Sequence, residues 1–308
     1  MLNRSIPLIL FFLFSMIENY HAQDNPLWMR YSAISPDGNT IVFSYKGDLY
    51  TVNSDGGEAE LLTHHKAHDF RPVWSHDGEK IAYASYRYGN YDVFIVPSEG
   101  GAPERLSYHS SKDIPYSFTR DNENVLFSSP SRLDKASASG FPSGILSELY
   151  SVPDTGGRVE QVLTTPAEEA VYNEDESKML YHDRKGFEDR WRKHHESSVT
   201  RDLWVWNKEK NKHTRLTKYR GEDRDPVWAG ENKYFFLSER SGDFNVWKAD
   251  MNDPQNPTQI TNMKKHPVRF LTRSNGGMLC FSYHGEIYTM KENDESPSKV
   301  DIQINIDK

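Results

Sequence analysis

The sequence holds a single cysteine, Cys280, among its 308 residues. That scarcity excludes an internal disulfide and a cysteine-based zinc site. Long apolar runs are also missing: the longest, Ile6–Ile17, has twelve residues, and a membrane-spanning helix needs about 20. A mean hydropathy of −0.78 excludes a polytopic membrane protein. Positive charge is not in excess. Lys and Arg number 37 against 45 Asp and Glu, a formal net charge of −8, so the broad basic footprint of a nucleic-acid binder is absent. Aromatic residues are plentiful, with 17 Tyr, 15 Phe and 7 Trp, which argues against disorder. The length suffices for one large core or two small ones.

The N-terminus reads as a targeting segment. Arg4, the apolar run Ile6–Ile17 and the polar stretch that follows fit a secretory signal peptide over residues 1–22, with cleavage after Ala22. The alternative is a buried N-terminal helix. No cysteine follows the run, which argues against a lipid anchor. The expectation is an exported protein, periplasmic or extracellular, with no membrane association once the signal is removed.

Beyond residue 22 one phrase recurs six times. An aromatic-rich run meets a turn such as Ser35-Pro-Asp-Gly38 or Ser75-His-Asp-Gly78, then an alternating apolar run such as Lys80-Ile-Ala-Tyr-Ala-Ser85. A second run ends near Gly-Gly, and the phrase closes on Leu/Ile-Thr/Ser at 63, 107, 164, 217 and 261. Each copy holds four short runs rich in β-branched and aromatic residues, separated by turn residues that tolerate positive φ. Four-stranded repeats of about 40–45 residues are the signature of propeller blades.

The fold expected is therefore all-β, a six-bladed β-propeller of four-stranded blades. Blades are expected at about 27–65, 66–109, 110–166, 167–219, 220–263 and 264–308. With an innermost strand near Met29–Ile34 and an outermost one near Lys299–Ile306, no strand is left to exchange. The ring is expected to close by packing without a strand swap, and so to open first between its first and last blades.

Two insertions break the rhythm, Pro130–Gly144 in blade three and His182–Arg201 in blade four. Both extend the connection between second and third strands, so they fall on one face, often the binding face of such rings. Arg184, Arg190, Trp191, Arg192, Lys193 and His194 are the candidate contacts for a peptide or protein partner, where a basic run could meet an acidic group. A solvated charged loop is the plainer reading.

Chemistry is otherwise sparse. Gly140-Phe-Pro-Ser-Gly144 has the wrong spacing for a nucleophile elbow, and no phosphate loop or dinucleotide fingerprint is present. His64, His65 and His68 would suit zinc only on a helix, whereas they follow a blade-ending Leu-Thr and read as a linker; His194-His195 is similar. Asp37, Asp77, Asp121 and Asp175 recur at turn positions, which points to backbone capping. A calcium-dependent hydrolase would need carboxylates at one depth on the innermost strands, and those strands read as mostly apolar or aromatic. No catalytic residue, metal or cofactor is expected in this chain.

The ordered set of motifs resembles the N-terminal propeller of tricorn-type serine proteases. It includes Ser32-Ala-Ile-Ser-Pro-Asp-Gly38, Gly89-Asn-Tyr-Asp-Val-Phe-Ile-Val-Pro97, Gly100-Gly-Ala-Pro-Glu-Arg-Leu-Ser-Tyr-His109, Asp225-Pro-Val-Trp228 and Tyr234-Phe-Phe-Leu-Ser-Glu-Arg-Ser-Gly242. Single Ser-Pro-Asp-Gly repeats are shared with TolB-like and prolyl-oligopeptidase propellers. The resemblance implies a non-catalytic module of a larger peptidase, binding or channelling peptides and scaffolding assembly. In that family the nucleophile lies in later domains, and hexamers occur. The resemblance therefore implies a peptide or protein partner, with protease domains in the same or an adjacent gene product, and a homo-oligomer. The alternative is a free-standing TolB-like periplasmic interaction scaffold. One departure is the blade-four insertion, Trp191-Arg-Lys-His-His-Glu-Ser-Ser198, where relatives tend to carry a Tyr and paired Gly.

Overall fold

The computed structural model describes residues 23–24, 26–130, 132, 146–192, 194 and 196–305. The expected signal peptide and most of the blade-three insertion lie outside the described residues, as do Lys193 and His195. Among the described residues there is no helix, and none long and apolar enough to cross a membrane.

Six sheets are arranged as the blades of a propeller. Their innermost strands are Arg30–Ile34, Asp69–Trp74, Ile114–Phe118, Ala167–Tyr172, Asp223–Trp228 and Arg269–Arg273. In each blade the strands follow in sequence order from the centre outward, paired antiparallel.

Alternation explains why the ring is stable. In the second strand of blade one, Ile41 and Phe43 face the junction with blade six, while Val42 faces blade two. Ile81 and Tyr83 of blade two repeat the pattern, as do Val125 and Phe127 of blade three. Six apolar clusters among the described residues result, one at each junction. A side-chain period of two thus gives each blade two apolar faces, buried only by its neighbours.

The recurring sequence phrases have structural causes. The hydroxyls of Thr63, Ser107, Thr217 and Thr261 each accept an N–H from the first two residues of a third strand, at 3.0, 2.9, 3.0 and 2.8 Å. The turn aspartates cap as expected: Asp37 Oδ1 accepts from Ser35 Oγ and Asn39 N, and Asp77 Oδ1 from Ser75 Oγ and Glu79 N. Gly78 supplies the left-handed φ of +79° in that turn, a position taken by Asn122 and Glu176 in blades three and four.

Each blade keeps its own four strands, but the ends do not meet by packing alone. The run expected as one outer strand divides in two. Ser298–Lys299 completes blade six, and Ile302–Ile304 crosses to pair parallel with Gly57–Leu61, the outer strand of blade one. Gln23–Asp24 then pairs antiparallel with the added strand. Ile302 and Ile304 are buried in the apolar cluster between blades one and six, while Gln303 faces solvent. That pairing covers an outer sheet edge that would otherwise expose free N–H and C=O groups.

Candidate functional site: the capped mouth of the channel

Every innermost strand carries a β-bulge, seen as a register shift against the second strand. The bulge residues are Tyr31, Arg71, Tyr116, Glu169, Asp225 and Phe270, one from each blade. All six line one central cavity of about 140 Å³. Five of them hold φ between 51° and 59°, a left-handed conformation that is costly for residues with a Cβ, of order 1–3 kcal/mol each. Pro72 and Pro226 follow two of the bulge residues, where the ladder is already broken and the missing N–H costs nothing. The bulge turns a side chain that would lie along the blade toward the axis.

The blade-four insertion reaches over this ring. Arg190 pairs with Glu169 and lies 3.2 Å from Asp225 Oδ1. Its carbonyl accepts from Arg224 Nη1 at 3.0 Å and Arg269 Nη1 at 2.7 Å, and the Trp191 carbonyl accepts from Arg269 Nη2 at 3.1 Å. The Trp191 ring packs edge-on to Phe270 of blade six, and the guanidinium groups of Arg30 and Arg269 each stand 4.9 Å from it. A loop from blade four therefore contacts blades five, six and one, and caps the mouth.

Its base is held equally firmly. Arg184 Nη1 donates to Glu168 at 2.9 Å, Lys185 donates to the Thr200 carbonyl and pairs with Asp202, and Glu239 accepts the His194 N–H at 2.6 Å. Of the candidate contacts, Arg184, Arg190 and Trp191 come together at the mouth. Arg192 is exposed at its rim, and His194 lies outward with Nε2 3.6 Å from Asp243.

Beneath the cap lies a buried charge network. Arg201 pairs with Glu222 at 2.8 Å and lies 3.8 Å from Glu168; Arg224, only 1% exposed, is 3.3 Å from Glu222. Arg71 pairs with Glu169 and donates to the Pro115 carbonyl at 3.3 Å. His182 Nδ1 accepts the Asp225 N–H at 3.2 Å, which leaves its proton on Nε2, 3.5 Å from Glu168 Oε2. Burial pushes the His182 pKa down, outweighing the opposing pull of Glu168, so the ring is neutral. Burial would raise Glu168, but His182, Arg184 and Arg201 outweigh it and hold the carboxylate ionised. Asp225 is likewise held low, by Arg190 and Arg224, against its burial. Burial, followed by the neighbouring Arg190, lowers Arg71 to about 10; burial, followed by Arg224 and Arg190, lowers Arg269 to about 10.

Six arginines (71, 184, 190, 201, 224, 269) interleave here with the carboxylates of Glu168, Glu169, Glu222 and Asp225, and the buried Glu239 accepts the Glu222 N–H at 3.1 Å. Guanidinium groups held in such a low-dielectric concavity are strong hydrogen-bond partners for carboxylates.

The reading of the innermost strands as mostly apolar or aromatic is corrected here. Arg71, Glu168, Glu169, Arg224, Asp225 and Arg269 all lie on them. The two carboxylates at bulge depth, Glu169 and Asp225, are both engaged by Arg190. The signal was there in the charged doublet Glu168-Glu169 and the charged triplet Asp223-Arg-Asp225 within otherwise strand-like runs. The histidines after blade one do linker work: His65 Nδ1 accepts the Ala67 N–H, and His68 stacks on Phe70 at 5.2 Å.

The architecture defines a six-bladed propeller whose axis ends in a capped, arginine-rich mouth. A family model, the tricorn protease N-terminal beta propeller domain, matches residues 26–296, and the chain belongs to that family. Among solved structures, the tricorn protease superposes with a TM-score of 0.77 at 19% identity, over 92% of this chain and 27% of that one. TolB from Acinetobacter baumannii gives 0.61 at 16%, over 92% and 68%. The propeller domain of the Trilobed protease from Pyrococcus furiosus, described as having an open velcro topology, gives 0.54 at 14%, over 88% and 81%. Dipeptidyl-peptidase 5 of Porphyromonas gingivalis is 33% identical over 63 residues, 17% of this chain and 9% of that protein. The chain thus spans about a quarter of the tricorn protease and a small fraction of the peptidase.

Proposed function

We propose that this chain is the non-catalytic propeller module of an exported tricorn-like serine peptidase, and that it holds peptides at the capped mouth. The observation carrying this reading is the convergence of six bulge side chains beneath Arg190 and Trp191, where aromatic rings and guanidinium groups meet at one mouth. Aromatic rings at the rim offer sequence-tolerant apolar contact, and the guanidinium groups offer bidentate partners for carboxylates. With the Arg190–Trp191 segment bonded to Arg224 and Arg269, holding a peptide at the face fits better than free passage through the ring. Catalysis belongs to protease domains of the same or an adjacent gene product. Family membership supports that placement.

The test is fluorescence anisotropy of mixed labelled peptides with the wild-type chain, Trp191→Ala and Arg269→Gln. Wild type should bind without cleaving, and each variant, shown to be folded by circular dichroism, should bind several-fold more weakly. Absence of binding, together with one stoichiometric protein partner captured by the same face, would replace this reading with a TolB-like interaction scaffold.

A further inference from the structure

A second concavity, about 760 Å³, opens beside the mouth between blades one and two and shares Tyr31 with the central cavity. Its volume lies within the ordinary range of ligand pockets. Three permanent cations line it, Arg30, Lys46 and Lys112, together with His68, Trp28 and Tyr91, and its lining contains no Asp or Glu.

Several other arginines on the blades are paired with buried aspartates. Arg87 bonds Asp69, Arg105 bonds Asp92, Arg132 bonds Asp113 and Arg240 bonds Asp223, each within 2.8 Å. Among the described residues, Arg30, Lys46 and Lys112 have no carboxylate within ion-pair distance. They rest on aromatic faces instead: Arg30 is 5.7 Å from the Trp28 ring, Lys46 5.4 Å from Tyr45 and Lys112 5.1 Å from Tyr91. Such contacts orient a cation without neutralising it. Burial lowers the Lys112 pKa, and Arg71 and Arg184 add to this against the opposing pull of Glu168.

We propose that this pocket is a subsite for acidic side chains of a bound peptide. Arg30, Lys46 and Lys112 would pair with Asp or Glu carboxylates while Trp28 and Tyr91 cover the neighbouring apolar groups. The inference rests on the peptide-holding reading above and adds a preference to it. A short acidic segment fits better than a long polyanion, because the cations are local and the chain as a whole carries −8.

The experiment compares two short peptides, acetylated and amidated at their ends, alike except for Glu-Glu or Gln-Gln at the centre. Calorimetric titration of the wild-type chain should show the Glu peptide binding about tenfold tighter, the size expected for one charge-assisted contact. That advantage should shrink as salt rises from about 50 mM to about 500 mM. Lys46→Gln with Lys112→Gln should remove it and leave Gln-peptide affinity unchanged, and each single variant should remove part of it. Equal binding of both peptides overturns the acidic subsite and leaves peptide holding intact. Failure of both peptides removes both readings. Tighter, competing binding of a sulfated oligosaccharide would reassign the pocket to a glycan.

Discussion

Arg190 sends its guanidinium between Glu169 and Asp225, while its own carbonyl accepts from Arg224 and Arg269. One residue thus joins three blades through side chain and backbone. Arg190→Ala removes the side-chain half and leaves two carboxylates short of a partner, which should cost about 2 kcal/mol by chemical denaturation. Lysine should recover only part of that, because it lacks the planar fork. Two histidines make a separate prediction. His76 Nδ1 faces Arg120 Nη1 at 3.0 Å and Nε2 faces the Phe118 carbonyl at 3.2 Å, which suits the neutral ring; burial and then Arg120 lower its pKa to about 4. His182 is lowered by burial. The unfolded chain therefore takes up these protons first, near the ordinary histidine value of 6.5. Stability from His76 is complete above that pH and is lost as pH falls toward 4, and His182 acts in the same direction. Melting temperature should drop across that window, and His76→Gln should flatten the slope. An unchanged slope would refute the assignment.

Among the elements, the added strand Ile302–Ile304 and the cap are the two features outside the sixfold plan. Gly56 sits at φ +100°, and a Cβ there would stand 2.6 Å from the Asp301 carbonyl oxygen, the atom that also accepts the Gly57 N–H at 2.8 Å. Gly56→Ala should therefore cost about 1–3 kcal/mol through strain and a backbone clash. Hydrogen exchange should quicken in Ile302–Ile304 before it does in the second strands. Uniform loss of protection around the ring would show that this strand does not close it. The added strand was half legible in the sequence. The alternation in Val300–Ile306 identified strand character, but the same alternation suits either blade edge. The bulges were not legible, because Tyr31, Arg71, Glu169 and Phe270 carry none of the glycine or asparagine that normally marks a left-handed residue.

At the scale of the molecule, six mutually buried blades form a ring whose two faces differ. One face carries the tight Asp-Gly turns, and the other carries the connections that lengthen into the insertions. The chain alone should bind peptides without hydrolysing them, as mass spectrometry of an incubated peptide pool would show. Cleavage that persists through purification would overturn the non-catalytic reading. Sequencing beyond the codon for Lys308 gives an independent check, since protease domains in the same or an adjacent frame are expected.

The sequence by itself determined the repeat, the four-strand blades, the capped turns and the family. These depend on local chemistry: side-chain period, turn residues and Leu-Thr anchors act within a few tens of residues. The site was decided by the tertiary structure. Glu169, Arg190, Asp225 and Arg269 lie as far as 100 positions apart in the chain, on three different blades. Only closure of the ring brings those charges within bonding distance and strips them of water, which is what strengthens their pairing.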